Sequence, residues 1–301
     1  MEKLDNILVV LDEDRANTHT LLDKTRLLAA ASGATAHAVR VVYEGIAELS
    51  ARAIDTSDRM KTFILEAEES VTEELVEDAR VRLPGLETAT LWNSRHWQGV
   101  LHAAEHVGAD LIMKAASRRP GVAELVRTPD DWNLLRHAGV PVMLVKPQPW
   151  VDDPVVLCAL DIFDEGHDEL SLALLREGES LSRVLGGSLQ VVVAYPLFER
   201  WVGELGGLRD YDSLKHDVEK EIRNRVLSLA REAGVDYQRL YAEEGRADMV
   251  IANLATQLDA ELVVVGTRAR KGLQGVLLGN TSERLIHELD TDVVTVHAPG
   301  D

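Results

Sequence analysis

Apolar positions along the first half of the chain fall into two alternating patterns. A short apolar run at Ile7 to Leu11, and the largely apolar segments Ala36 to Val42, Thr88 to Trp92, Asp110 to Ala115 and Pro141 to Val145, have the length of strands. Between them lie longer stretches with helical spacing: Ala16 to Ser32, a charged amphipathic segment from Ser57 to Leu83 halted by Pro84-Gly85, and Gln98 to Val107. Strand runs without polar alternation need apolar cover on both faces, so their alternation with helices predicts a parallel sheet with helices on each side.

The second half repeats this order. Val155 to Asp161 matches Ile7 to Asp12, Leu189 to Tyr195 matches Ala36 to Val42, and the charged helix Asp212 to Ala233 takes the place of Ser57 to Leu83. Adding 151 carries Ala115 to Gly266, Thr128 to Gly279, and Pro141 to Val145 onto Asp292 to Val296. The chain therefore reads as a duplication, with one domain at 1–150 and a second at 151–301. Lys146-Pro-Gln-Pro-Trp-Val-Asp-Asp-Pro154 joins them, and its prolines favour a short, stiff, extended linker. Right-handed crossovers then place the useful crevice of each domain at the carboxyl ends of its first and fourth strands, where Asp161 and Gly266 stand.

Composition narrows the partners. A net charge of -19 over 301 residues repels phosphate backbones and anionic lipid, which excludes nucleic acid and a membrane surface as the main partner. No apolar run approaches the roughly 18 residues of a membrane span, and the first residues carry no signal-peptide pattern. The single Cys158, inside the apolar run Val155 to Leu160, allows no intrachain disulfide and reads as a small buried hydrophobe. Together these features predict a cytoplasmic protein.

Candidate chemistry concentrates in one segment. The strand Glu261-Leu-Val-Val-Val-Gly266 opens through Thr-Arg268-Ala269-Arg270-Lys-Gly272-Leu-Gln-Gly275-Val-Leu-Leu-Gly279 into a helix beginning Asn280-Thr281-Ser282. A phosphate needs converging backbone N–H groups and a positive helix end, and glycine permits the close approach. Gly266, Gly279 and the amides of Asn280, Thr281 and Ser282 supply that pattern, with side-chain donors on Asn280 and Ser282. Arg268 and Arg270 offset phosphate charge, and Asp161 at the neighbouring strand end accepts from an adenine amine or a ribose hydroxyl.

On these residues the chain resembles the tandem universal stress proteins, and the resemblance spans almost its whole length. In that family the motif is Gly, two residues, Gly, nine residues, Gly, then Ser or Thr, and it binds ATP in some members and not in others. Gly266 and Gly279 match it. Ala269 stands at the second glycine and Asn280 at the hydroxyl, while Asp161 maps onto the family's strand-one aspartate and Ser282 onto its later hydroxyl. Gly279-Asn-Thr, Thr128-Pro-Asp-Asp-Trp-Asn-Leu-Leu135 and Val145-Lys-Pro-Gln-Pro-Trp150 point to one branch of the tandem members.

The resemblance implies two flavodoxin-like (Rossmann-like) α/β domains, each a five-stranded parallel sheet with helices on both faces. It implies an internal pseudo-dimer meeting at Val142 to Val145 and Val293 to Val296, with homodimerisation as a further association. It also implies a small-molecule site in domain 2 for ATP or another adenine nucleotide with magnesium, weakened by Ala269. An alanine forced to positive φ costs about 1 kcal/mol, a few-fold in affinity, whereas asparagine keeps a polar donor and a good helix cap. In the first domain, Ala115 and Thr128 replace two glycines and Pro129 removes an amide, so no family-type ATP site is expected there.

Other features have plainer readings. His102 and His106, one turn apart, formally match an inverted zinc-peptidase pattern with Glu105, but the third ligand is missing and a solvated helix face is expected. Glu66, Glu68, Glu69, Glu73, Glu74 and Glu77 read as another solvated face. Trp92, Trp97, Trp132, Trp150 and Trp201 suit packing between the halves, or else an apolar pocket beneath a lid at Pro196 to Gly207. Two functions compete: a non-catalytic stress-response binding protein with a nucleotide or other anionic ligand in domain 2, and a scaffold or carrier holding an apolar, lipid-like ligand. A slow nucleotidase ranks last, because no nucleophile with a paired base is present; no enzyme activity and no metal centre are expected.

Overall fold

The structure is a computed structural model that describes residues 4–12, 15–45, 54–116, 130–163, 165–196, 211–267 and 280–297. The chain divides into two compact units, residues 3–149 and 150–301. In the first, β1 (Asn6–Val10), α1 (Arg15–Ser32), β2 (Thr35–Val42), α2 (Ile54–Arg82), β3 (Glu87–Trp92), α3 (His96–Val107), β4 (Leu111–Ala115), α4 (Asp130–His137) and β5 (Val142–Val145) follow one another. All strand pairs are parallel, in the order β3-β2-β1-β4-β5.

The second unit runs β6 (Val155–Ala159), α5 (Asp168–Val184), β7 (Ser188–Tyr195), α6 (Tyr211–Ala233), β8 (Arg239–Glu244), α7 (Ala247–Gln257), β9 (Leu262–Thr267), α8 (Asn280–Glu288) and β10 (Asp292–His297). Its strands, again parallel, lie in the order β8-β7-β6-β9-β10. This is the doubly wound α/β fold predicted from the alternation of runs. In both units the chain reverses direction across the sheet between the first and fourth strands, the switch point where such folds bind ligands.

Burial explains the pattern. Every residue of β4 and β5 is buried, as are four of the five in β1, so continuous apolar runs mark strands covered on both faces. The outer strand β3 instead exposes Glu87 and Ala89 in alternation. On α2, Val76 and Ala79 are buried while Glu66, Glu69, Glu73, Glu74 and Glu77 are exposed, the solvated face expected of them; Glu68, expected with them, is instead half-buried and pairs with the buried Arg40. Cys158 is fully buried, which pushes its thiol well above the usual range and leaves it an apolar core group.

One device recurs in both units. The Asp110 carboxylate, just before β4, accepts the backbone amides of Asp5 (2.8 Å) and Asn6 (2.9 Å) at the start of β1. Glu261, its counterpart before β9, accepts the amide of Val155 (2.9 Å) at the start of β6. Each middle strand thus has an orphan donor satisfied by a carboxylate from its neighbour. Trp150 of the linker sits with the second unit, its indole N–H donating to the buried Asp292 carboxylate at 2.8 Å.

The repeat is not uniform. Ile7 to Asp12 maps onto Val156 to Asp161 at an offset of 149, whereas Gly33, closing α1, maps onto Gly186 at 153. The segment between β6 and α5 is therefore four residues longer than its counterpart, and it contains a short 3-10 turn at Glu165–His167.

Candidate ligand crevice of the second unit

The site is built on the ends of β6 and β9, which are adjacent through the pairs Val156 to Leu262 and Cys158 to Val264. Asp161 follows β6 by two residues and Gly266 lies near the end of β9, so both reach the same rim of the sheet. Asp161 is largely exposed: one carboxylate oxygen accepts the Phe163 amide at 3.3 Å, and the other lies 3.2 Å from His167 Nδ1. The four extra residues after β6 bring this half-buried imidazole to the carboxylate, a neighbour that spacing alone does not reveal.

Gly266 has a packing reason of its own. A Cβ there would lie 2.7 Å from Leu170 Cδ2 and 3.3 Å from Leu174 Cδ1, so α5 uses the missing side chain to approach the strand. Ser282, in the first turn of α8, donates its hydroxyl to the Gly266 carbonyl at 3.0 Å. This contact ties the start of α8, where backbone amides lack intrahelical partners, to the end of β9. The hydroxyl expected to face phosphate is thus also a structural tie. Asn280 and Thr281 occupy the same first turn, while Arg268, Ala269, Arg270, Gly272, Gly275 and Gly279 fall outside the described residues, as do Thr128, Pro129 and Trp201.

Sequence reasoning missed a charged cluster on the two helices that start at this rim. Asp248, in the first turn of α7, is buried and takes both Arg246 nitrogens, Nε at 3.2 Å and Nη2 closer, together with the Met249 amide at 3.1 Å and Arg284 of α8 at 3.5 Å. The signal was available as Arg-x-Asp at a helix start after Gly245. Hydrogen bonding from Arg246 holds the Asp248 carboxyl below the usual aspartate range. Asp248 therefore stabilises the fold above that range, and the contribution is lost as pH falls through it. The stability difference between the wild type and Asp248→Asn, followed by denaturant titration, should shrink from neutral pH to below pH ~4.

The remaining candidates are dispersed. His102, Glu105 and His106 lie exposed on α3, and among the described residues no group of three or more His, Cys, Asp or Glu is placed to hold a metal. Trp97 stacks on His137 with ring centres 4.6 Å apart, and Trp92 meets Tyr43 edge-on, so both pack within the first unit. Grooves of about 630 and 710 Å³ flank β8; Glu219, Arg223, Arg239 and Tyr241 line the first, Glu244, Asn253, Leu254 and Gln257 the second. No described helix is long and apolar enough to cross a membrane.

Two doubly wound parallel units of one topology, each with the strand order 3-2-1-4-5 and a switch point between its first and fourth strands, define a tandem Rossmann-like α/β protein. The chain belongs to the universal stress protein family, whose model matches residues 3–146 and 155–297. It is similar to universal stress protein E of Escherichia coli (strain K12), at 30% identity over 219 residues, 70% of this chain and 68% of that one. It is also similar to the universal stress protein E homolog of Haemophilus influenzae, at 28% identity over 305 residues, 98% and 97% of the two chains. A structurally characterised protein of unknown function from Pseudomonas aeruginosa PAO1 aligns with a TM-score of 0.69 at 26% identity, over 99% of this chain and 94% of that one. A universal stress protein from Archaeoglobus fulgidus DSM 4304 shares the fold, with a TM-score of 0.59 at 16% identity over 97% and 98% of the chains. The family and these relatives place the chain among stress-response proteins.

Proposed function

We propose that this chain is a non-catalytic, cytoplasmic stress-response binding protein that takes an adenine nucleotide, ATP with magnesium, in its second unit. Asp161, Gly266, Arg268, Gly279, Asn280, Thr281 and Ser282 form the site. The observation that carries the reading is the Ser282 to Gly266 hydrogen bond, which holds the first turn of α8 against the end of β9 beside the exposed Asp161 carboxylate. A strand-end acceptor and a helix N-terminus on one rim suit a ligand with a hydrogen-bonding sugar or base at one end and an anion at the other. The carrier alternative needs an apolar cavity, and charged and polar side chains interrupt the apolar ones in both grooves beside β8.

Calorimetric titration of the purified chain with MgATP should show saturable binding at one site per chain. Asp161→Ala should weaken it about tenfold, by removing an acceptor without disturbing the core. Mass spectrometry of ligands released from the purified protein should return an adenine nucleotide. Absence of saturable binding at millimolar MgATP would sink the nucleotide reading.

A further inference from the structure

The repeat register places a buried ion pair of the first unit on the site of the second. Adding 151 carries Lys114 to Val265, Ala115 to Gly266 and Asp131 to Ser282. In the second unit, the Ser282 hydroxyl bonds the Gly266 carbonyl at this junction. In the first, the Lys114 ammonium donates to the Asp131 carboxylate at 2.7 Å and reaches the Ala115 carbonyl at 3.5 Å. Both residues are only 7% exposed, and β4 is otherwise apolar.

Asp131 is the second residue of α4, so its carboxylate stands in the first helical turn, where unpaired amides and the helix dipole favour negative charge. Lys114 neutralises that carboxylate from the strand and bonds the carbonyl equivalent to the one that Ser282 holds. Burying two charges is expensive, and an apolar pair of similar volume serves stability equally well, so packing alone gives no reason for the pair. We infer that the first unit carries its ligand anion built in. The Asp131 carboxylate takes the anion position at the start of α4, Lys114 is its counter-ion, and the first unit needs no external anion there. The inference takes the anion position from the proposed site of the second unit, and its geometry from the first unit's own contacts.

Hydrogen exchange of the 130–137 segment, read by mass spectrometry of the full chain, tests it. In the wild type, exchange should be the same in sodium chloride, sodium formate and MgATP. In Asp131→Ala it should quicken roughly tenfold in chloride and return most of the way in formate, which replaces the lost carboxylate beside Lys114. Lys114→Met/Asp131→Leu should fold and be indifferent to formate. The inference is overturned by formate-insensitive exchange in Asp131→Ala, by its failure to fold in either salt, by loss of folding in the double variant, or by slowing of wild-type exchange in formate or MgATP. Moving the pair into the second unit, as Val265→Lys/Ser282→Asp, should abolish MgATP binding there. If the wild type binds no MgATP, the nucleotide reading fails, while the formate result on the first unit still decides this one.

Discussion

Gly187→Ala is expected to destabilise the second unit by about 3 kcal/mol, the range of a forced overpacking against backbone. A Cβ at Gly187 would fall 1.9 Å from the carbonyl oxygen of Pro154, which accepts the Ser188 amide at 3.0 Å as β7 begins. Neither group can withdraw without breaking the pairing of β7 with β6, where Val155 opposes Ser188. The adjacent Gly186 is a control: its φ of 70° disfavours alanine, but its Cβ would meet nothing within 4 Å. Gly186→Ala should therefore cost only about 1 kcal/mol. Guanidinium denaturation of both variants checks the contrast, and equal losses would mean that the Pro154 carbonyl does not crowd this position.

Asp110→Ala should cost about 2 kcal/mol, and Glu261→Ala about half of that. The first removes a charged acceptor from two amides and the second from one. The same denaturation experiment measures both. Asp110→Asn, which keeps one carbonyl oxygen toward the amides, should recover part of the loss. An equal effect of the two alanine substitutions would show that the amides find water instead.

The fold was legible because its strands are buried on both faces. Leu111 to Ala115 and Val142 to Val145 announce themselves as apolar runs, and the 151-residue offset reveals the duplication before any contact is known. The crevice was legible only as a location. Asp161 just beyond β6 and Gly266 one residue before the end of β9 lie at adjacent strand ends, but the role of Gly266 in admitting Leu170 depends on the angle at which α5 crosses the sheet, which periodicity does not encode. Ser282 reads as a phosphate donor from its spacing and also serves as a tie between α8 and β9. Lys114 was the strongest missed signal, an ammonium inside an otherwise apolar strand run. Its partner Asp131 looked like any polar residue in a first helical turn, and only the repeat register aligns the pair with Val265 and Ser282.

The carboxylate clamps also constrain how the chain acquires its structure. Ile7 pairs with Leu111 and Val156 with Leu262, so the middle strand of each unit waits for a partner more than a hundred residues downstream. Such long loops must close before either sheet gains its central ladder, which slows folding relative to a chain of local contacts. During synthesis, β1 and β2 can pair early, but β1 keeps one open edge and uncapped amides until Asp110 and β4 leave the ribosome. The first unit can then complete its sheet while the second is still being made, and β6 must wait in the same way for Glu261 and β9. Each unit is thus exposed to edge-to-edge association for most of its own translation.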